Sequence, residues 1–489
     1  MRLPVLVGPV LLVAALTSGA GVRQAVRAQT QPAGRPPNIV VIFTDDQGYG
    51  DLGSYGHPTI RTPAIDRLAA EGQRWTSFYA APVCTPSRAQ LLTGRLAVRT
   101  GLAAGVLFPD SPGGLASSEI TIAEVLKTRG YATTAIGKWH LGLSADRMPM
   151  GQGFDSYFGI PYSNDMDGVV DPTIPADAYG GRGRRFAQYM EPKRGYFNVP
   201  LMRDDRIIER PADQTTLTER YTSEAIRFVT ANRHRPFFLY LAHNMPHMPL
   251  FRSKAFEGRS PRGIYGDVIE ELDANVGRLV EALRDLQLDR NTLVVFTTDN
   301  GPWAPYLEQG GSAGLLRGAK ASTWEGGVRV PAIFWWPGTI QPAVVTGVGS
   351  QLDLLPTLAS IAGAQAPMDR PLDGVDLSNT LRSGAPSPRT TVFYYASGAG
   401  DPAPLVAVRR GAYKLHLRIP GSSATEPQSA LYNLDEDPSE QFDLVTTRPE
   451  IVRALTGLAE TQRTDVAPAA SQLTGRGAAA PVGRGTPPE

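Results

Sequence analysis

Short, nearly unbroken apolar runs recur along the chain, and each closes on polar residues. Asn38-Ile39-Val40-Val41-Ile42-Phe43 ends in Thr44-Asp45-Asp46-Gln47-Gly48. Residues 131–136 lead to Gly137-Lys138-Trp139-His140, and residues 236–241 to Ala242-His243-Asn244-Met245-Pro246-His247. Residues 291–296 end in Thr297-Thr298-Asp299-Asn300-Gly301, and residues 330–336 form a further run. Continuous apolar runs of this length predict strands buried on both faces. Between them, apolar positions at helical spacing predict helices over 62–71, 121–129, 216–232, 265–286 and 351–362. Thr62 with Pro63 in the first turn marks the start of the first helix, and Gly130 the end of the second. Alternating strands and helices imply an α/β fold, with a large, mostly parallel sheet covered by helices on both faces. From about residue 372 the pattern changes to short antiparallel strands over 392–395, 405–409 and 413–419, followed by Leu431-Tyr432-Asn433-Leu434. Residues 171–210 are rich in Pro, Gly and Arg without periodicity and read as loops facing the substrate.

The expected organisation is a signal peptide over 1–28, a catalytic domain over 37–371, a C-terminal subdomain over 372–466 and a disordered Ala-, Gly- and Pro-rich tail over 467–489. The N-terminal reading rests on Arg2, the apolar stretch 3–16 and a small-residue cleavage site at Val26-Arg27-Ala28. Gly8, Pro9, Ser18 and Gly19 interrupt the stretch, so no membrane span is expected in the mature protein. A periplasmic or secreted protein follows. The balance of 48 Lys+Arg against 47 Asp+Glu leaves a net charge of +1. With no global basic field, nucleic acid is not an expected partner. Cys84 is the single cysteine, so an intrachain disulfide is excluded.

The candidate chemistry sits at the ends of the apolar runs, where open α/β sheets collect ligands. Asp45-Asp46 and Asp299-Asn300 offer oxygen donors for a cation; read alone, they are also ordinary solvated turn residues. Lys138 and His140, two apart at a strand end, project to one side. Cys84 opens Cys84-Thr85-Pro86-Ser87-Arg88, which reads as a helix start with an Arg one turn on. That setting stabilises a thiolate or another anionic nucleophile. The plain alternative is a small buried hydrophobe.

Cys84-Thr85-Pro86-Ser87-Arg88 followed by Leu91-Leu92-Thr93-Gly94-Arg95 resembles the signature of the type I, formylglycine-dependent sulfatases. Gly137-Lys138-Trp139-His140-Leu141-Gly142 resembles their second signature, and the 314–329 segment their lysine loop, with Lys320 at the matching position. The 153–165 segment, with Ser163, resembles arylsulfatase A and N-acetylgalactosamine-6-sulfatase types. His247, in Pro246-His247-Met248-Pro249, matches the catalytic His, whereas His243 is the structural candidate.

The resemblance spans roughly 37–458 and implies an alkaline-phosphatase-like sandwich. It implies hydrolysis of an aryl or carbohydrate sulfate monoester by a metal-bound gem-diol of formylglycine, made from Cys84 by a formylglycine-generating enzyme. It also implies metal ligands Asp45, Asp46, residue 84, Asp299 and Asn300. Hard oxygens select Ca²⁺, with Mg²⁺ the alternative. Arg88 and Lys138 would offset the carboxylates, Ser163 would support the diol, and His247 and Lys320 would serve the leaving oxygen. His140 would take the proton that releases sulfate. The competing activity is a formylglycine-dependent phosphodiester or phosphonate hydrolase. A non-catalytic sulfated-glycan binder is the reading from another class.

Overall fold

The computed structural model describes residues 35–422 and 428–473. The expectations for the signal peptide over 1–28 and for 474–489 lie outside the described residues. Ten strands form the main sheet: β1 (Asn38–Thr44), β2 (Gln73–Tyr79), β3 (Ala132–Gly137), β4 (Ser156–Gly159), β5 (Leu201–Arg203), β6 (Arg206–Glu209), β7 (Phe237–Ala242), β8 (Thr292–Thr298), β9 (Arg329–Trp335) and β10 (Ala343–Ser350). Their order is β10-β2-β9-β8-β1-β7-β3-β4-β5-β6. The centre, β8-β1-β7-β3-β4, is parallel throughout. β9 runs antiparallel to both its neighbours, and β5–β6 is an antiparallel hairpin on the far edge.

The continuous apolar runs have the cause expected of them. In β1, Val40 and Ile42 pack into the cluster containing Leu217, Tyr221, Tyr265 and Leu272. Ile39, Val41 and Phe43 pack on the opposite face with Leu91, Leu92, Leu126 and Leu358. Each such side chain removed from water contributes about 1.5–3 kcal/mol, so both faces must be apolar. The helices Leu217–Ala231 and Gly263–Asp285 cover the first face. Cys84–Thr93, Ile122–Lys127 and Leu354–Ala362 cover the second. Thr121 caps the Ile122–Lys127 helix in a reciprocal arrangement with Glu124. A second, antiparallel sheet, β11 (Thr391–Tyr395), β12 (Leu405–Arg410), β13 (Tyr413–His416) and β14 (Ala430–Asn433), carries the helix Pro449–Asp465.

Two expectations change. Residues 171–210 are not all loop: they hold the helix Gly183–Met190 and the β5–β6 hairpin. These pieces are too short for periodicity to reveal. The tail expected from 467 is tied down as far as Leu473: residues 467–470 are exposed, but Leu473 is 5% exposed. Ala469 N–H donates to Val98 O and Gln472 N–H to Gly101 O, an approach that the missing side chains of Gly101 and Gly113 permit. No helix among the described residues is long and apolar enough to cross a membrane.

Candidate active site

β1 and β8 pair in parallel with Thr44 beside Thr298, so the next residues of both strands emerge together. Asp46 N–H donates 3.0 Å to Asp299 Oδ1. Asn300 Nδ2 donates to Asp46 Oδ1 at 2.7 Å and to Gly301 O at 2.9 Å. Those bonds fix the amide and leave Asn300 Oδ1 buried without a partner. Asp45, Asp46, Asp299 and Asn300 are all buried. Asp46 sits at φ 61°, a left-handed backbone that a non-glycine residue adopts only where the surroundings hold it.

Cys84 is the first residue of the helix Cys84–Thr93, whose ten residues are all buried. Ser87 Oγ donates to the carbonyl of Asp299 and ties the helix to the β8 end. Cys84 Sγ lies 3.5 Å from Asp45 Oδ1 and 3.5 Å from Lys320 Nζ. The stabilised thiolate expected from the helix start is not what results. Burial and the Asp299 carboxylate push the thiol well above its usual range. Arg88 makes its close contacts with the acids rather than with the sulfur. Its Nη2 lies 3.0 Å from Asp299 Oδ2 and 3.5 Å from Asp45 Oδ2, and its Nη1 donates to Lys138 O. With no cation bound, this setting favours the protonated form of an unmodified thiol.

β3 and β7 deliver the next group. Lys138 Nζ lies 2.6 Å from Asp45 Oδ2 and donates to Ser163 Oγ at 3.1 Å. Ser163 Oγ lies 3.4 Å from His247 Nε2, which in turn lies 3.5 Å from Asp46 Oδ2. His247 Nδ1 faces Met248 O and therefore carries the hydrogen. His140 Nε2 bonds Leu107 O at 2.8 Å, so its buried Nδ1, which has no partner, holds the free lone pair. Burial, then Lys138 and Arg88, hold His140 well below its ordinary range. Lys320 Nζ lies 2.7 Å from Asp46; burial works against its charge, but Asp46 together with Cys84, Asp45 and Asp299 raises its pKa. Every residue expected at the site is thus brought to one place. His243 is separate: buried among apolar groups, it packs its ring 6.2 Å from that of Tyr221.

Three carboxylates share this buried volume. Burial and Asp299 push Asp45 up to about 8, and burial also raises Asp46. Burial works against the charge of Asp299 as well, but Arg88 and Lys138 outweigh it and hold the group low. The cluster therefore carries excess negative charge, which a bound cation would offset. Donor atoms of Asp45, Asp46, Cys84 and His247 lie within 4.8 Å of one another. Together with the free Asn300 Oδ1, this donor set fits a metal ion.

Two contributors escaped the sequence. The ring of Trp303 lies 4.5 Å from Lys320 Nζ and 5.0 Å from the His247 ring. Its only signal was an unpaired aromatic just after Asn300-Gly301-Pro302. Thr85 Oγ1 donates to His140 O and accepts from Leu107 N–H, which joins the Cys84 helix to the His140 loop.

Comparison with known proteins agrees with this geometry. The family model described as Sulfatase matches residues 37–364. Arylsulfatase A of Bos taurus is 45% identical over 440 residues, covering 86% of this chain and 85% of the relative. N-acetylgalactosamine-6-sulfatase of Sus scrofa is 39% identical over 464 residues, covering 86% and 84%. Among solved structures, the PsFucS1 sulfatase from Pseudoalteromonas sp. superposes with a TM-score of 0.76 at 28% identity, covering 88% and 90%. A structure of Ps i-CgsB in complex with k-i-k-neocarrahexaose gives 0.75 at 29% identity, covering 89% and 94%. By family match, identity and fold alike, the chain belongs to the sulfatase family and is a hydrolase of sulfate esters.

Proposed function

We propose that residue 84 works as formylglycine, matured from Cys84 by a formylglycine-generating enzyme, on an aryl or carbohydrate sulfate monoester. The observation that carries this reading is the meeting of Cys84 Sγ with Asp45 and Lys320 beside the paired ends of β1 and β8. Asp45, Asp46, Asp299 and Asn300 would hold the cation, for which an oxygen-rich set on loops favours Ca²⁺ over Mg²⁺. When bound, the aldehyde hydrate supplies two hydroxyls and the cation supplies positive charge against the sulfate.

The chain's own groups do the rest. Arg88 and Lys138 neutralise carboxylate charge and hold Asp45 and Asp299 in place. Ser163 bridges Lys138 and His247, which fixes the direction of His247 Nε2. Lys320 stays protonated and offers its charge to the leaving oxygen, with His247 beside it. His140 Nδ1 is unprotonated and unpartnered, so it accepts a proton within the site. A carbohydrate substrate draws support from Ps i-CgsB, solved with k-i-k-neocarrahexaose. Work outside the cytoplasm, in the periplasm or secreted, completes the reading.

The test has two parts. Mass spectrometry of the peptide holding position 84 should show the aldehyde in active enzyme; an unmodified thiol there contradicts the proposal. Parallel assays on an aryl sulfate, sulfated saccharides and a phosphodiester should show turnover of a sulfate monoester. Preference for the phosphodiester contradicts the assigned substrate.

A further inference from the structure

Lys320 lies on a loop whose other side is held by the C-terminal sheet through buried charges. β13 turns Lys414 and His416 toward this loop, and both are 0% exposed. Lys414 Nζ donates to Thr323 O at 2.7 Å and to Glu325 Oε1 at 2.9 Å, and lies 3.0 Å from Glu440 Oε1. Glu440 Oε2 accepts from Glu325 N–H at 2.7 Å, while its Oε1 bonds His416 Nε2 at 2.8 Å. Glu325 Oε2 accepts from Tyr79 Oη at 2.6 Å. Nearer the surface, Arg317 Nη1 donates to Glu440 O, and its guanidinium lies 3.8 Å from the Trp324 ring centre. The loop between these anchors is short. Lys320 N–H donates to Pro302 O and Ala321 N–H to Pro82 O, with Ala321 at φ 69°.

We infer that Lys414 and Glu440 are positioning residues for Lys320, so the C-terminal sheet sets the placement of the ammonium that faces the substrate. The inference rests on the role given to Lys320 above. The physical reason is satisfaction. Lys414 meets three acceptors and Glu440 three donors, so the fully buried charges have one low-energy arrangement. The loop that shares those bonds inherits it.

The test measures kcat and KM on an aryl sulfate for matured enzyme carrying Lys414→Met/Glu440→Gln. This pair keeps shape and removes one charge of each sign. Arg317→Met loosens the same contact from an exposed position and keeps the buried charges intact. Melting curves confirm that each variant is folded. The double variant should lose kcat by on the order of 10²-fold with a smaller change in KM, as expected for a misplaced catalytic group. Arg317→Met should lose less, in the same direction. Made in a Lys320→Ala background, either change should alter kcat by less than about twofold, because the group it positions is already gone. Equal losses in both backgrounds, or full kcat in the folded Arg317→Met variant, overturn the inference. Full kcat in Lys320→Ala alone overturns the role of Lys320, and this inference with it.

Discussion

Arg88→Met tests the electrostatic account of the site most directly. The guanidinium is 0% exposed and lies between two acids, 3.0 Å from Asp299 Oδ2 and 3.5 Å from Asp45 Oδ2. Methionine fills much of the same volume, so the change removes charge and hydrogen bonds rather than packing. Breaking a buried ion pair by deleting one partner costs about 3–5 kcal/mol, because the other charge stays buried. Native stability is about 5–15 kcal/mol, so the loss is a large part of the whole. Part of it should be recoverable. A divalent cation held among Asp45, Asp46 and Asp299, as proposed, would compensate the same charge that Arg88 does. Melting curves in Ca²⁺ and in EDTA should therefore show a larger Arg88→Met deficit in EDTA, with activity lost in both. Arg88→Lys should fall between, since one ammonium cannot reproduce a two-pronged contact. A deficit that is the same in Ca²⁺ and EDTA, or smaller in EDTA, would refute the shared-charge argument.

Asp299→Asn should abolish turnover and weaken Ca²⁺ binding in calorimetry, and EDTA treatment of the wild type should stop activity until Ca²⁺ is restored. Unchanged turnover after complete chelation contradicts the cation site. His140→Ala should lower kcat by about 10²–10⁴-fold, the usual worth of a positioned acid–base group. Because burial and then Lys138 and Arg88 depress His140, the acidic limb of the wild-type kcat profile should lie below the ordinary histidine value of about 6.5. A limb at or above that value counts against His140 as the base. His243 is held at about 4 by burial, against about 6.5 in the unfolded chain. Between those values the unfolded state binds more protons, so stability should rise with pH through the window, by on the order of 3 kcal/mol. His243→Gln should flatten that rise in pH-dependent denaturant titrations, and an unaltered slope would assign it to other groups.

The central strands were legible because both their faces are buried, which leaves no polar position to blur the run. The site was legible for a related reason. Asp45, Lys138, His247 and Asp299 all follow such runs, and parallel strands bring their C-terminal ends to one edge. Less visible were β2, whose Gln73-Arg74-Trp75-Thr76-Ser77 mixes polar residues into a sheet interior, and β10, whose start is exposed. Neither offers a clean period. The hairpin β5–β6 lies at the sheet edge with few buried positions. Trp303 and the Lys414–Glu440 contacts act across large separations in the chain, and no local pattern records them. The thiol of Cys84 is the instructive case. Its helix start and nearby arginine argued for an anion, yet folding brings three carboxylates close and spends the arginine on two of them.

The burial of Cys84 also bears on timing. With 1% of its surface reachable and the helix behind it wholly enclosed, no second protein has access to that sulfur once the sheet has closed. If the aldehyde is made by another enzyme, it must be installed before this stretch folds. A molecule that folds first keeps its thiol for life, so the active fraction of any preparation records a race between two early events.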